Sequence, residues 1–203
     1  MSVRAFTLVG ALVLLLHLLF SVVVFWELPD RIPQHFDVTG APTRFVETSA
    51  ASWFLLPAIA LATWGMITAV AHRLPSHPEW FNFPEKARFL ALPADYRAPV
   101  IKEMRSMLGV TSVLVAVLML VIQLLMWQQA VHGSAGPLAP LPLGLSALLV
   151  PVMLVWLVRL RRAVVAAEQR VARDRRSSER DGQHGVMRPH TSRHSASRRD
   201  PSY

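Results

Sequence analysis

The sequence predicts an all-α, polytopic membrane protein with four transmembrane helices and both termini in the cytoplasm. Three observations carry this. The chain of 203 residues is 53% hydrophobic and only 17% charged, too apolar for an ordinary soluble domain. Its apolar residues are gathered into four long runs without Asp, Glu, Lys or Arg. Its basic residues fall in alternate connecting segments. About 20 apolar residues at 1.5 Å rise cross about 30 Å of hydrocarbon, so each run is read as a span.

The first run is Ala5–Trp26. A cleaved signal has a shorter apolar stretch and ends in small residues, whereas this one ends in VVVFWEL. An uncleaved anchor is expected. The loop that follows, Glu27–Ser49, is short and rich in proline. Pro29, Pro33 and Pro42 bias the residues before them away from helix. Asp37-Val38-Thr39-Gly40 fits a type I turn, with Asp first and Gly fourth. Trp26, Phe36, Phe45 and Trp53 suit headgroup depth. The second run is Ala50–Ala71. Residues 1–71 thus form a two-span unit around this loop.

Residues 72–107 form a second connecting segment. Asn82 and Glu85 have capping-box spacing, which predicts a short helix to about Leu92. A further helix starts near Pro99 and carries Val100, Ile101, Met104 and Leu108 as an apolar stripe. The favoured reading is an amphipathic helix lying on the bilayer; docking of a cytoplasmic partner is the sharper one. Residues 108–158 hold the third and fourth runs, Leu108–Trp127 and Leu138–Val158. Pro140 and Pro142 delay the last helix, and Arg159 is placed to snorkel. Pro57 and Pro151 fall inside spans and predict kinks. Residues 159–203 form a basic tail. Leu160, Val164, Ala167 and Val171 recur at helical spacing, suited to an extended helix that pairs with another copy. Beyond Arg176 the composition predicts disorder.

Orientation follows from charge. Arg4 stands alone before the first run, and Arg31 and Arg44 lie in the first loop. The second segment carries Arg73, Lys86, Arg88, Arg97, Lys102 and Arg105. The third loop has no Lys or Arg, and the tail is crowded with Arg. Segments rich in Lys and Arg stay inside, so the proline-rich loop is expected outside. The dominance of Arg over Lys suggests a GC-rich bacterial genome, and the expected location is the bacterial cytoplasmic (inner) membrane.

Little catalytic chemistry is in view. The chain has no cysteine, which removes thiolate nucleophiles, cysteine metal ligands and disulfides. His35 and Asp37 are a close ligand-like pair outside, but zinc needs three or four ligands. His132 lies in another loop, and His72, His77, His184, His190 and His194 fall on the opposite side. Ser49 and Ser52 lack a Gly-x-Ser-x-Gly setting. No metal, no cofactor and no enzymatic activity are expected. His17 and Gln123 are intramembrane polar residues; a structural hydrogen bond between helices is favoured over a functional role. The tail is expected to meet anionic lipids. Nucleic acid is disfavoured, because no aromatic residues interleave with the charge.

The loop carries a more specific signal. Leu28, Pro29, Ile32, Pro33, His35, Phe36 and Gly40 form Leu-Pro-x-x-Ile-Pro-x-His-Phe-x-x-x-Gly directly after a first span. This resembles the domain-of-unknown-function family numbered 1648, which is also found at the front of SdpI-like membrane proteins. The resemblance covers roughly residues 8–70. It implies a polytopic protein, and SdpI-like proteins include immunity factors against a secreted toxic peptide and membrane signalling components. This chain departs from them in having four spans and no recognisable SdpI-type second half. The leading functional expectation is a non-enzymatic membrane protein whose outer loop recognises a peptide, a lipid or another membrane protein. The competing expectation is a transporter accessory or small permease, suggested by the proline-bearing spans and His17.

Overall fold

A computed structural model describes residues 3–186. The chain is mostly helical: α1 (Val3–Val24), α2 (Ala50–Arg73), α3 (Lys86–Ala91), α4 (Ala98–His132) and α5 (Leu141–Val186). Two strands, β1 (Arg31–Phe36) and β2 (Pro42–Glu47), lie between α1 and α2. Among the described residues, α1, α2, α4 and α5 are long and apolar enough to cross a membrane. They match the four apolar runs.

α4 is the hub. It packs against α1, α2 and α5, and it also touches β1. Close approach of α1 and α4 depends on Gly109: a Cβ there would stand 2.8 Å from the Phe6 ring and Cβ. α2 begins at a capping box that the sequence reading passed over. The Ser49 hydroxyl accepts from the Ser52 amide at 3.1 Å, and the Ser52 hydroxyl accepts from the Ser49 amide at 2.9 Å.

Inside the bundle, one tryptophan joins three helices. Trp53 of α2 is fully buried. Its indole Nε1–H donates to the Ser21 carbonyl at 2.8 Å. That bond ties the start of α2 to the last turn of α1. Four residues on, Pro57 has no N–H, so the Trp53 carbonyl loses its helical partner. Gln123 of α4 supplies the replacement: its Nε2 donates to the Trp53 carbonyl at 3.3 Å. A proline in a spanning helix is tolerated where a neighbour satisfies the freed carbonyl.

The loop Glu27–Ser49 is not merely stiff; it forms a two-stranded antiparallel hairpin. Arg31 pairs with Glu47, Ile32 with Val46, Pro33 with Phe45, His35 with Arg44 and Phe36 with Pro42. The register slips on either side of His35. Proline is accommodated because each strand has a free edge. The predicted turn is present, with the Gly40 amide donating to the Asp37 carbonyl at 3.0 Å. Gly40 sits at φ +82°, the left-handed residue that follows a type I turn in many hairpins.

At the opposite end of the bundle, three expectations are corrected. First, the Asn82–Glu85 capping box does not form. α3 starts at Lys86, Glu85 is its N-cap, and no side chain caps it. Phe83 is drawn into an apolar cluster instead, and the Lys86 amide closes a turn onto its carbonyl at 3.1 Å. Second, residues 74–104 do not present a free amphipathic helix to lipid. Leu74, Phe83, Phe89, Leu92, Val100 and Met104 pack with Leu160, Val164 and Ala167 of α5. The stripe predicted for pairing with another copy is thus covered by the chain itself. Third, α5 passes Arg176 and reaches Val186. Extending an existing helix adds a bond per residue without a new nucleus, so composition alone placed the end too early. The rest of the tail, with His190 and His194, lies outside the described residues.

The part of α5 beyond Val158, here called the stem, is fastened to residues 74–105 by polar contacts around that cluster. Arg88 bonds Glu168 through Nε at 3.0 Å, and the Tyr96 hydroxyl donates to Asp174 at 2.7 Å. Arg159 does not simply snorkel; it bonds Glu103 at 3.1 Å and stacks over the Trp156 ring at 4.3 Å. Exposed ion pairs contribute about 0.2–1 kcal/mol each. The apolar cluster is therefore the main attachment.

Candidate functional site: the hairpin crevice

The family-like motif divides into residues that seat the hairpin and one that does not. Ile32 is fully buried with Val24, Trp53 and Met126. Leu28, Phe36 and Val46 pack around the same cluster. Burying one isoleucine contributes about 1.5–3 kcal/mol, enough to press a small hairpin onto the bundle end. Pro33 is also fully buried. At the base, the Thr48 amide donates to the Asp30 carbonyl at 2.8 Å, and the Thr48 hydroxyl donates to the carbonyl of Pro29. The Ser52 hydroxyl donates to the Glu47 carbonyl at 2.9 Å, tying β2 to the start of α2.

Gly40 has two reasons to be glycine. Its φ of +82° strains any residue with a side chain. A Cβ would also stand 2.9 Å from Ala139 Cβ, in the α4–α5 connection. Asp37 is equally committed. Its Oδ1 accepts from the Thr39 amide at 2.8 Å, the Thr39 hydroxyl at 2.6 Å and the Ala41 amide at 3.0 Å. The Thr39 hydroxyl and the two amides hold the carboxyl below the usual carboxylate range.

His35 is left over. It is exposed, on the slipped part of β1 opposite Arg44. It lines a crevice of about 350 Å³ between the hairpin, α4 and the start of α5. Gln34, His35, Asp37 and Ser146 bring polar groups to this crevice, while Phe36, Ile122, Leu125 and Leu143 bring apolar surface. Ser146 is not free, since its hydroxyl donates to the Pro142 carbonyl at 2.7 Å. With Asp37 bonded into the turn, Gln34 and His35 are the polar side chains facing a ligand here. No group of three or more His, Asp or Glu suited to a metal occurs among the described residues. The chemistry on offer is hydrogen bonding beside an apolar wall, the arrangement of a binding cleft.

His17 and Gln123 are brought together, as the sequence suggested, but inside the bundle and apart from the crevice. Both are fully buried. The Gln123 side chain lies beside the imidazole. Yet neither imidazole nitrogen, nor Gln123 Oε1, meets a partner in hydrogen-bond geometry among the described residues. Gln123 instead uses its amide nitrogen on the Trp53 carbonyl. His132 stands against the Trp127 ring. The crevice's other wall, Ala139 and Leu143, was missed by sequence reading; no local pattern signals that the α4–α5 connection folds against Gly40.

Four spanning helices with a hairpin seated on one end define a multi-pass helical membrane protein. Residues 12–61, which run from α1 through the hairpin into α2, match the model of a family described as Domain of unknown function (DUF1648). The predicted resemblance is therefore a matched family segment, somewhat shorter than the sequence suggested. No curated protein and no solved structure matches the chain.

The Asp37 contacts predict an acid-sensitive turn. Its pKa is depressed on folding, so its contribution is present above the ordinary carboxylate pKa of about 4 and is lost as pH falls through the lowered value. Amide hydrogen exchange at Thr39 and Ala41, corrected for intrinsic rates, should accelerate relative to the helix amides only on acidification below that range. In Asp37→Asn the pH dependence should vanish.

Proposed function

We propose that this is a non-enzymatic recognition protein of the bacterial cytoplasmic membrane, in which the hairpin crevice faces outward and holds an amphipathic ligand. The ligand class that suits it best is a segment of a secreted peptide, as SdpI-like immunity would require. One observation carries the reading. Leu28, Ile32, Pro33 and Phe36 of the motif are packed and Gly40 makes the turn, whereas the His35 side chain stands exposed at a crevice. Gln34 and His35 offer hydrogen bonds to a peptide backbone or side chain. Ile122, Leu125 and Leu143 offer an apolar wall for its hydrophobic side chains. The outward orientation is supported by the alternation of basic segments.

A photo-crosslinking residue in place of Val38, which is 85% exposed at the hairpin tip, tests the ligand directly. In cells exposed to medium from competing strains, a peptide adduct should form and should be reduced strongly by His35→Ala. An adduct confined to lipid, or one indifferent to His35→Ala, contradicts peptide recognition. The orientation has its own test. Thr39→Cys introduces a lone thiol at an exposed site, since the chain has no cysteine. It should react with a membrane-impermeant maleimide in intact cells; reaction only after permeabilisation reverses the topology.

A small permease, or an accessory to a transporter, is the second reading. It is favoured by the unpartnered imidazole nitrogens of His17 within the bundle. Flux through proteoliposomes that His17→Ala abolishes would support it over recognition.

A further inference from the structure

Three arginines follow the last apolar run within four residues of its end at Val158: Arg159, Arg161 and Arg162. They differ in what holds them. Arg159 is committed, bonded to Glu103 at 3.1 Å and stacked over Trp156. Arg161 is 71% exposed in its side chain and comes no nearer to Glu85 than 3.8 Å, outside hydrogen-bond range. Arg162 is exposed, and no acid lies within ion-pair distance of it among the described residues. Arg161 and Arg162 line one shallow groove of about 390 Å³, with Val158 at its membrane end and Gln169 at its far end. Their depth is set by the helix. At 1.5 Å rise per residue, they stand about 5–6 Å past Val158. The headgroup layer on each side of the hydrocarbon is roughly 5–7 Å thick. Two uncommitted guanidinium groups therefore fall at headgroup depth.

We propose that Arg161 and Arg162 bind the phosphodiester of an anionic phospholipid, with the start of its acyl chains against Val158. The planar guanidinium fork matches phosphate oxygens and forms charge-assisted hydrogen bonds with them. A zwitterionic lipid brings its own ammonium group to the same depth, so the net attraction favours an anionic headgroup. The expectation that the basic tail as a whole meets anionic lipid is thereby narrowed to the first turns of the stem. Farther out, Arg173, Arg176 and Arg180 line a second groove, and Glu179 stands exposed beside them. Those residues lie about 22–33 Å past Val158 along a straight helix, beyond the roughly 8 Å over which charge acts at physiological salt. The site lies at the opposite end of the bundle from the hairpin crevice, and neither inference depends on the other.

The test is native mass spectrometry of the full chain in detergent micelles with graded phosphatidylglycerol or phosphatidylcholine. Phosphatidylglycerol should be retained in preference to phosphatidylcholine. Changing Arg161 and Arg162 together to Gln should weaken its apparent affinity by about tenfold or more. Changing Arg176 and Arg180 to Gln removes the same charge beyond the headgroup layer and should leave the affinity as it was. Arg162→Gln breaks no hydrogen bond or ion pair among the described residues. It should weaken retention on its own, and Arg162→Lys should restore most of it. Equal retention of the two lipids overturns the proposal. So does an equal loss from the two double variants, which would mark diffuse charge rather than a site. Displacement of the lipid by glycerophosphate, a headgroup without acyl chains, at comparable concentration would assign the groove to soluble anions instead.

Discussion

The missing amide of Pro57 is the constraint around which this bundle is arranged. It leaves the Trp53 carbonyl without a helical donor inside an apolar interior, where an unpaired backbone group costs several kcal/mol. Gln123 answers it from α4, and the indole of the same Trp53 donates to the Ser21 carbonyl in the last turn of α1. Each of these hydrogen bonds joins two helices. In lipid there is little hydrophobic drive between helices, so packing and such bonds choose the neighbours. The Trp53 side chain is also part of the floor on which Ile32 rests. The position of the hairpin, and with it the crevice, therefore follows from a polar problem solved inside the bundle.

The hairpin and the stem show how one chain builds different surfaces at its two ends. The hairpin is small and contains a buried proline, so it depends on the bundle beneath it; an isolated two-stranded hairpin is marginal at best in water. Its rigidity is borrowed from Ile32 and Pro33 below, Gly40 against Ala139 at the side, and the Asp37 turn at the tip. This leaves His35 presented on a fixed frame. At the other end, α5 leaves the spanning region without a break, and the connecting segment wraps only one of its faces.

Much of the helical architecture was legible because spanning helices announce themselves locally, by length and by the absence of charge. The start of α4 near Pro99 and its buried stripe of Val100 and Met104 were legible from the proline and from the helical spacing of the apolar residues. Gln123 and His17 stood out as polar residues in apolar runs. Their surroundings did not, since the role of Gln123 depends on a proline in another helix. The turn at Asp37–Gly40 was read from residue types, but the strands flanking it were not. β1 contains Pro33, and its slipped register breaks the alternation that marks a strand. The stem's apolar stripe was visible, but its partner was not. Which surface covers a stripe is decided by tertiary proximity, and here Phe83, Phe89 and Leu92 of the same chain cover it.

Central to this bundle is Gln123, which replaces the backbone bond that Pro57 removes. A double-mutant cycle on unfolding in mixed micelles measures this directly. Gln123→Leu alone should lower stability by about 1 kcal/mol, within the range of interhelical side-chain bonds. In a Pro57→Ala background the residue 57 amide can reach the Trp53 carbonyl, so the same Gln123→Leu change should cost markedly less. A coupling energy of about 0.5 kcal/mol or more in that sense is the predicted result. An equal cost in both backgrounds would contradict the account.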